Sequence, residues 1–154
     1  MIKLDINTKN YNVSVSVHIW DKVRERFYKM EALFDTGAHT CAIDREAFLN
    51  LGYNLENATK SYISTATQTR ERVDRVVIDK IKLGDMEFDS VSFNTFDFPI
   101  TSNQILIGMN IIRHFKVTMD FKEKIITMCE NYMDNEDNNY NGYIFGDWRA
   151  DTNS

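Results

Sequence analysis

The sequence predicts an all-β domain with one or two short helices, on three observations. Apolar residues recur at every second position over much of the chain, which is the period of a half-buried strand. The apolar runs are short and separated by polar or Gly-containing turns, with no long amphipathic helical stretch. One run, Ile105-Leu106-Ile107, is apolar at every position, as expected of a central strand buried on both faces. At 154 residues the chain makes one domain, long enough to bury roughly 68–70% of the surface its unfolded form exposes.

Taken in order, Ile2, Leu4 and Ile6 alternate with polar neighbours, and so do Val13, Val15, Val17 and Ile19. The polar run Asp21 to Arg26 turns the chain into Phe27 to Phe34, an apolar and aromatic strand that stops at Asp35-Thr36-Gly37. Asp44 is suited to cap a short helix from Arg45 to Leu51, closed by Gly52. Tyr62 to Ile81 reads as a long hairpin whose polar, glycine-free tip is Thr65 to Arg72. Gly84-Asp85 turns into Met86, Phe88, Val91 and Phe93, and Asp97-Phe98-Pro99 marks a loop before Ile105. Asn110 to Phe115 makes a helical turn or two, and Val117 to Asp120 and Ile125 to Met128 are strands joined by the charged turn Lys122-Glu123-Lys124. Asp120 has a turn-capping role in this reading.

Charge divides the chain in two. Residues 1–129 hold 17 Lys+Arg and 17 Asp+Glu, whereas residues 130–154 hold six acids against Arg149 alone, so the net −5 belongs to the tail. The predicted organisation is therefore a body, 1–129, and an acidic tail, 130–154, also rich in Asn and containing aromatic residues. Within the tail, residues 133–141 read as a linker and Tyr143-Ile144-Phe145 as a segment able to dock. A neutral body without a basic stripe argues against nucleic acid as a partner. No apolar run of membrane-spanning length or secretory leader is legible, so no membrane is expected. Two distant cysteines, Cys41 and Cys129, exclude a disulfide scaffold, and a reducing cytoplasm is the expected setting. His18, His39 and His114 fit no metal-ligand spacing, so neither metal nor cofactor is predicted. Cys41 reads as a small buried apolar residue, although it lies only six positions after Asp35.

The chemistry concentrates in Leu33-Phe34-Asp35-Thr36-Gly37-Ala38 and, 73 residues later, Ile105-Leu106-Ile107-Gly108-Met109-Asn110. An acid at the end of an apolar strand, followed by a hydroxyl and a glycine, is a positioned carboxylate; by itself the tripeptide is also an ordinary turn. The two segments in this order, around a flap-sized hairpin, resemble the retroviral-type aspartic proteases, the retropepsin-like family. The resemblance runs from about Val13 to Met128. Phe27 to Ala38 is similar to that family's active-site strand and loop, Ala42 to Gly52 to the helix ending in Leu-Gly, Tyr62 to Ile81 to the flap, and Ile105 to Met128 to the closing helix and strands. Two features depart from the family pattern: His39 stands where Asp or Ser is usual, and the hairpin tip carries no glycine.

The resemblance implies a single retropepsin-like acid-protease lobe, closed and barrel-like, that acts as a homodimer on a peptide or protein substrate. Amide hydrolysis by carboxyl groups needs one ionised and one protonated acid, and two acids held close share a proton. With one Asp-Thr-Gly per chain, the second acid must come from another copy. The resemblance then implies Asp35 as the catalytic acid or base, and Thr36, Gly37 and Ala38 as support for the loop. It implies His39, Thr65, Ala66, Thr67, Ile107 and Gly108 as residues along or beneath the substrate. The alternative is a peptide-binding or dimerisation module of the same fold in which hydrolysis is weak or lost; a monomeric β-domain whose acid loop is only a turn is the third.

Overall fold

Among the described residues the first strand pairs with the last, and most of the chain between them rolls into a barrel. A computed structural model describes residues 1–7, 12–64, 67–99 and 103–131. In chain order the elements are β1 (Ile2–Asp5), β2 (Ser14–Asp21), β3 (Arg26–Phe34), β4 (Cys41–Asp44), α1 (Arg45–Asn50), β5 (Thr59–Ser64) and β6 (Arg70–Leu83). They continue with β7 (Met86–Phe96), β8 (Ile105–Ile107), α2 (Met109–Ile112), β9 (Phe115–Asp120) and β10 (Ile125–Glu130). The larger sheet runs β2-β3-β8-β4-β7-β6-β5. Pairing of β2 with β6, through His18 opposite Lys82 and Ile19 opposite Ile81, closes six of these strands into a barrel and leaves β5 on its flank. The smaller sheet, β1-β10-β9, is antiparallel throughout.

The alternation that predicts strands also builds the core. Val15, Val17 and Ile19 of β2 point inward and are fully buried, as are Ile78, Ile81 and Leu83 of β6. In β7 the buried set changes phase: Phe88 faces inward, and beyond Ser90 the inward residues include Val91 and Phe93. Ser90 makes that change with a left-handed backbone, φ 55°, inside the strand. Ile105 and Ile107 of β8 are fully buried on one face of a strand held between β3 and β4, while Leu106 on the other face is half-buried, less than the burial on both faces that the unbroken apolar run predicts. Phe48 of α1 is buried in the core and stacked on Tyr53 at 5.2 Å between ring centroids.

Two hairpins share one turn chemistry. Asp21 Oδ1 accepts from Val23 N–H and Arg24 N–H, and Asp120 Oδ1 accepts from Lys122 N–H and Glu123 N–H. Both turns end in a left-handed residue, Glu25 and Lys124. The capping role read for Asp120 is thus present, and Asp21 repeats it. The backbone hydrogen bond from Arg24 leads the causes that hold the Asp21 carboxyl below its ordinary range, with burial opposing.

Several boundaries differ from the sequence reading. Residues 42–44, read with the helix by resemblance, belong to β4; the helix begins at Arg45, capped by Asp44, whose side chain accepts from Ala47 N–H at 3.3 Å. Four apolar-rich residues next to a helix have no periodicity to separate them from it. The hairpin tip is narrower than Thr65 to Arg72, because Arg70 to Arg72 already pair with β5. The second helix starts one residue earlier, and Phe115 opens β9. The tail readings, the linker and the docking segment, lie outside the described residues.

Candidate active site

Asp35 follows the last residue of β3, and its position is set by parallel pairing of β3 with β8, with Phe34 opposite Ile107. Its N–H donates to Ile107 O at 3.0 Å, one step beyond the ladder. The chain then turns: Ala38 N–H donates to Asp35 O at 3.3 Å, and Gly37 N–H donates to Asp35 Oδ1 at 2.8 Å. The carboxylate is therefore oriented by its own loop while remaining half-buried rather than sealed. Thr36, Gly37 and His39 are exposed, and Ala38 is half-buried.

The far side of the loop is clamped by the start of α2. Met109 N–H donates to Ala38 O at 2.8 Å and Asn110 N–H to His39 O at 3.0 Å. The Asn110 side chain, buried, accepts from Cys41 N–H at 2.8 Å and donates to Ser92 O at 3.0 Å, so it ties the loop's end and α2 to β7. Gly108 is required by close approach: a Cβ there would lie 2.7 Å from the Thr40 carbonyl carbon and 2.8 Å from its oxygen. That backbone cannot yield as a flexible side chain can.

The structure brings Asp35, Thr36, Gly37, Ala38, His39, Ile107 and Gly108 together around one loop. Thr67 sits apart at the β5–β6 tip, exposed, its hydroxyl 3.2 Å from that of Thr69. Thr65 and Ala66 lie outside the described residues. Asn110 is the participant whose role the sequence reading missed. The signal was an amide side chain directly after Gly108-Met109, where a helix opens against the acid loop.

Cys41 lies beneath this loop, fully buried, with its Sγ accepting from Gly108 N–H at 3.3 Å. Burial is the main cause pushing its thiol from an ordinary 9.0 up to about 12, with the Gly108 hydrogen bond opposing. A thiol held neutral is no nucleophile, so the reading of Cys41 as a small packing residue holds. Iodoacetamide at pH 8 is expected to label half-buried Cys129 in the native protein and Cys41 only after denaturation; equal labelling rates would contradict the packing. Because the folded thiol binds its proton more tightly than the unfolded one, its contribution to stability is complete below about 9 and declines as pH rises toward about 12.

Among the described residues, no group of three or more His, Cys, Asp or Glu side chains is arranged to hold a metal ion, and no helix is long and apolar enough to cross a membrane.

A six-stranded barrel with two short helices and one strand-anchored Asp-Thr-Gly loop defines the single-lobe, retropepsin-like acid-protease class. A sequence model of the aspartyl protease family matches residues 21–111, and the chain belongs to that family. Among solved structures it is similar to a retropepsin-like aspartic protease from Rickettsia conorii. The TM-score is 0.59 at 16% identity, covering 82% of this chain and 88% of that one. It is also similar to the retroviral protease-like domain of Ddi1 from Leishmania major. There the TM-score is 0.52 at 14% identity, covering 76% of this chain and 87% of that one. At such identities the likeness is one of fold. None of the curated proteins compared matches the chain in sequence.

Proposed function

We propose that the chain is an aspartic endopeptidase active as a homodimer, its catalytic pair made of one Asp35 from each copy. The observation that carries this reading is the Asp35 loop itself: a half-buried carboxylate fixed by β3–β8 pairing and by the Gly37 N–H, with Thr36 and Gly37 exposed beside it. Membership of the aspartyl protease family supports it. In this reading the ionised member of the pair takes a proton from water while the protonated member polarises the scissile carbonyl. Thr36 braces the two loops through its hydroxyl. Gly37 and Ala38 offer backbone to an extended peptide lying beneath the β5–β6 hairpin, and Ile107 and Gly108 support the loop from below. The body, 1–129, is the protease domain of this proposal, and 130–154 is an appendage to it.

The test is cleavage of a random peptide library by purified protein at several pH values and protein concentrations. Specific activity is expected to fall on dilution, because each site takes half its acid pair from the partner. Thr36→Ser is expected to retain more activity and dimer affinity than Thr36→Val, since only Ser keeps the hydroxyl. Full activity at every dilution, by a protein that sediments as a monomer, would sink the dimeric mechanism. No cleavage of any peptide would favour the peptide-binding module.

A further inference from the structure

We propose that Asp74 is a positioning residue: it ties the root of the β5–β6 hairpin to the segment that follows the acid loop, and so sets how firmly the hairpin holds a bound peptide. The role in peptide binding rests on the endopeptidase reading above; the mechanical tie does not.

The hairpin has little else to hold it. Residues 70–73 of β6 pair only with β5, whereas Asp74 and Arg75 pair on both sides, Asp74 with Lys60 of β5 and Thr95 of β7. Asp74 is thus the place where a two-stranded ribbon leaves the barrel wall. No residue of β5 is buried, and in the ribbon arm of β6 only Val73 is. A two-stranded ribbon without an apolar face is marginal in water. Apolar burial therefore does not account for the hairpin's attachment, and the polar contacts at its root decide it.

Those contacts converge on one buried carboxylate. The Asp74 side chain is 6% exposed and meets two cations from two different elements. Lys60 Nζ, from β5, donates to Oδ1, and Arg45, the first residue of α1, donates from its guanidinium to Oδ2 at 3.2 Å. Arg45 directly follows β4, whose first residue, Cys41, is held by Asn110 at the end of the acid loop. Next to Arg45, Asp44 caps α1 and accepts from Phe98 N–H at 2.9 Å, and Thr95 Oγ1 donates to Ile43 O at 2.9 Å. A continuous set of bonds thus joins the Asp35 loop, β4, Arg45, Asp74 and Lys60. One buried carboxylate bridging two partly exposed cations couples the hairpin root to that set through charge-assisted bonds.

The experiment combines amide hydrogen exchange of the full chain with peptidase kinetics on Lys60→Met, Lys60→Arg and Asp74→Asn. Lys60→Met removes one arm at a half-exposed side chain, so it tests the idea even where Asp74→Asn, which strands two cations, lowers global stability. In Lys60→Met, exchange at residues 60–64 and 70–73 is expected to rise at least about tenfold with β3 and β8 unchanged, because the ribbon opens as a local unit. KM is expected to rise about five- to tenfold with kcat changing less than twofold, the pattern of lost binding without lost chemistry. Lys60→Arg is expected to restore both. Raising NaCl from about 0.05 to 1 M should loosen the wild-type hairpin more than that of Lys60→Met, since screening acts on the charge pair that the variant lacks. Hairpin exchange at the wild-type rate in Lys60→Met, or a rise spread evenly over the barrel, would overturn the tie. Faster hairpin exchange with KM unchanged would overturn the role in peptide binding. A wild-type protein without peptidase activity would refute the endopeptidase reading and that role together, and the exchange data would still decide the tie.

Discussion

Asp35→Asn is expected to lower peptidase activity by at least ~1000-fold while leaving the fold intact, because Asn keeps the shape of the side chain but can neither ionise nor carry a proton to the leaving group. The loop should survive the change. Gly37 N–H donates to Asp35 Oδ1, and an amide oxygen in the same place accepts that bond equally well. The dimer should persist, since Asn keeps the shape and a hydrogen-bonding side chain at the proposed pair. Turnover of a cleavable peptide, thermal unfolding and sedimentation, measured on one preparation, check the three parts together. Wild-type activity in the variant would move the catalytic acid elsewhere, and a large loss of stability would make Asp35 a structural residue first.

Asn110→Ala should have the largest effect on stability of any single change around the site, a loss of about 2–6 kcal/mol by chemical denaturation. It strips a hydrogen-bond partner from two buried backbone groups, and each such group left unsatisfied costs about 1–3 kcal/mol. The groups are Cys41 N–H and Ser92 O, on β4 and β7. The damage should be local, because the backbone bond from Asn110 N–H to His39 O survives the change and only the side-chain ties to β4 and β7 are lost. Asn110→Asp is informative beside it: the acceptor to Cys41 N–H remains and the donor to Ser92 O is lost, with a carboxylate left buried opposite a carbonyl. A denaturation midpoint for Asn110→Ala within error of wild type would show that relaxation or water replaces both bonds.

Period-two alternation in β2 carried its own meaning, because a strand with one buried face leaves its period in the residues themselves, and the unbroken apolar run of β8 marked a central strand although its Leu106 face is only half-buried. So did the turn and cap residues. Asp120 acts within three positions of itself and Asp44 caps the helix that follows it, so nothing distant had to be known. The Asp35 loop was legible for a related reason: strand, acid, hydroxyl and glycine are contiguous, and the Gly37 bond to Asp35 is local.

What tertiary structure alone decided is what depends on partners far along the chain. Cys41 to Asp44 is too short to announce itself as a strand; it becomes one because β7 and β8 offer edges on either side. The amide after Gly108-Met109 marks Asn110 itself, but nothing local names its partners, 69 and 18 positions away. Asp74, in a charged hairpin strand, reads as a solvated acid until the closing barrel brings Lys60 and Arg45 onto it. Local propensity and capping act over a few residues, and the sequence by itself therefore determined the longer strands, the turns and the acid loop. The burial of a polar side chain and the choice of its partner are set by barrel closure, which pairs strands remote in the chain, and only the folded structure could assign them.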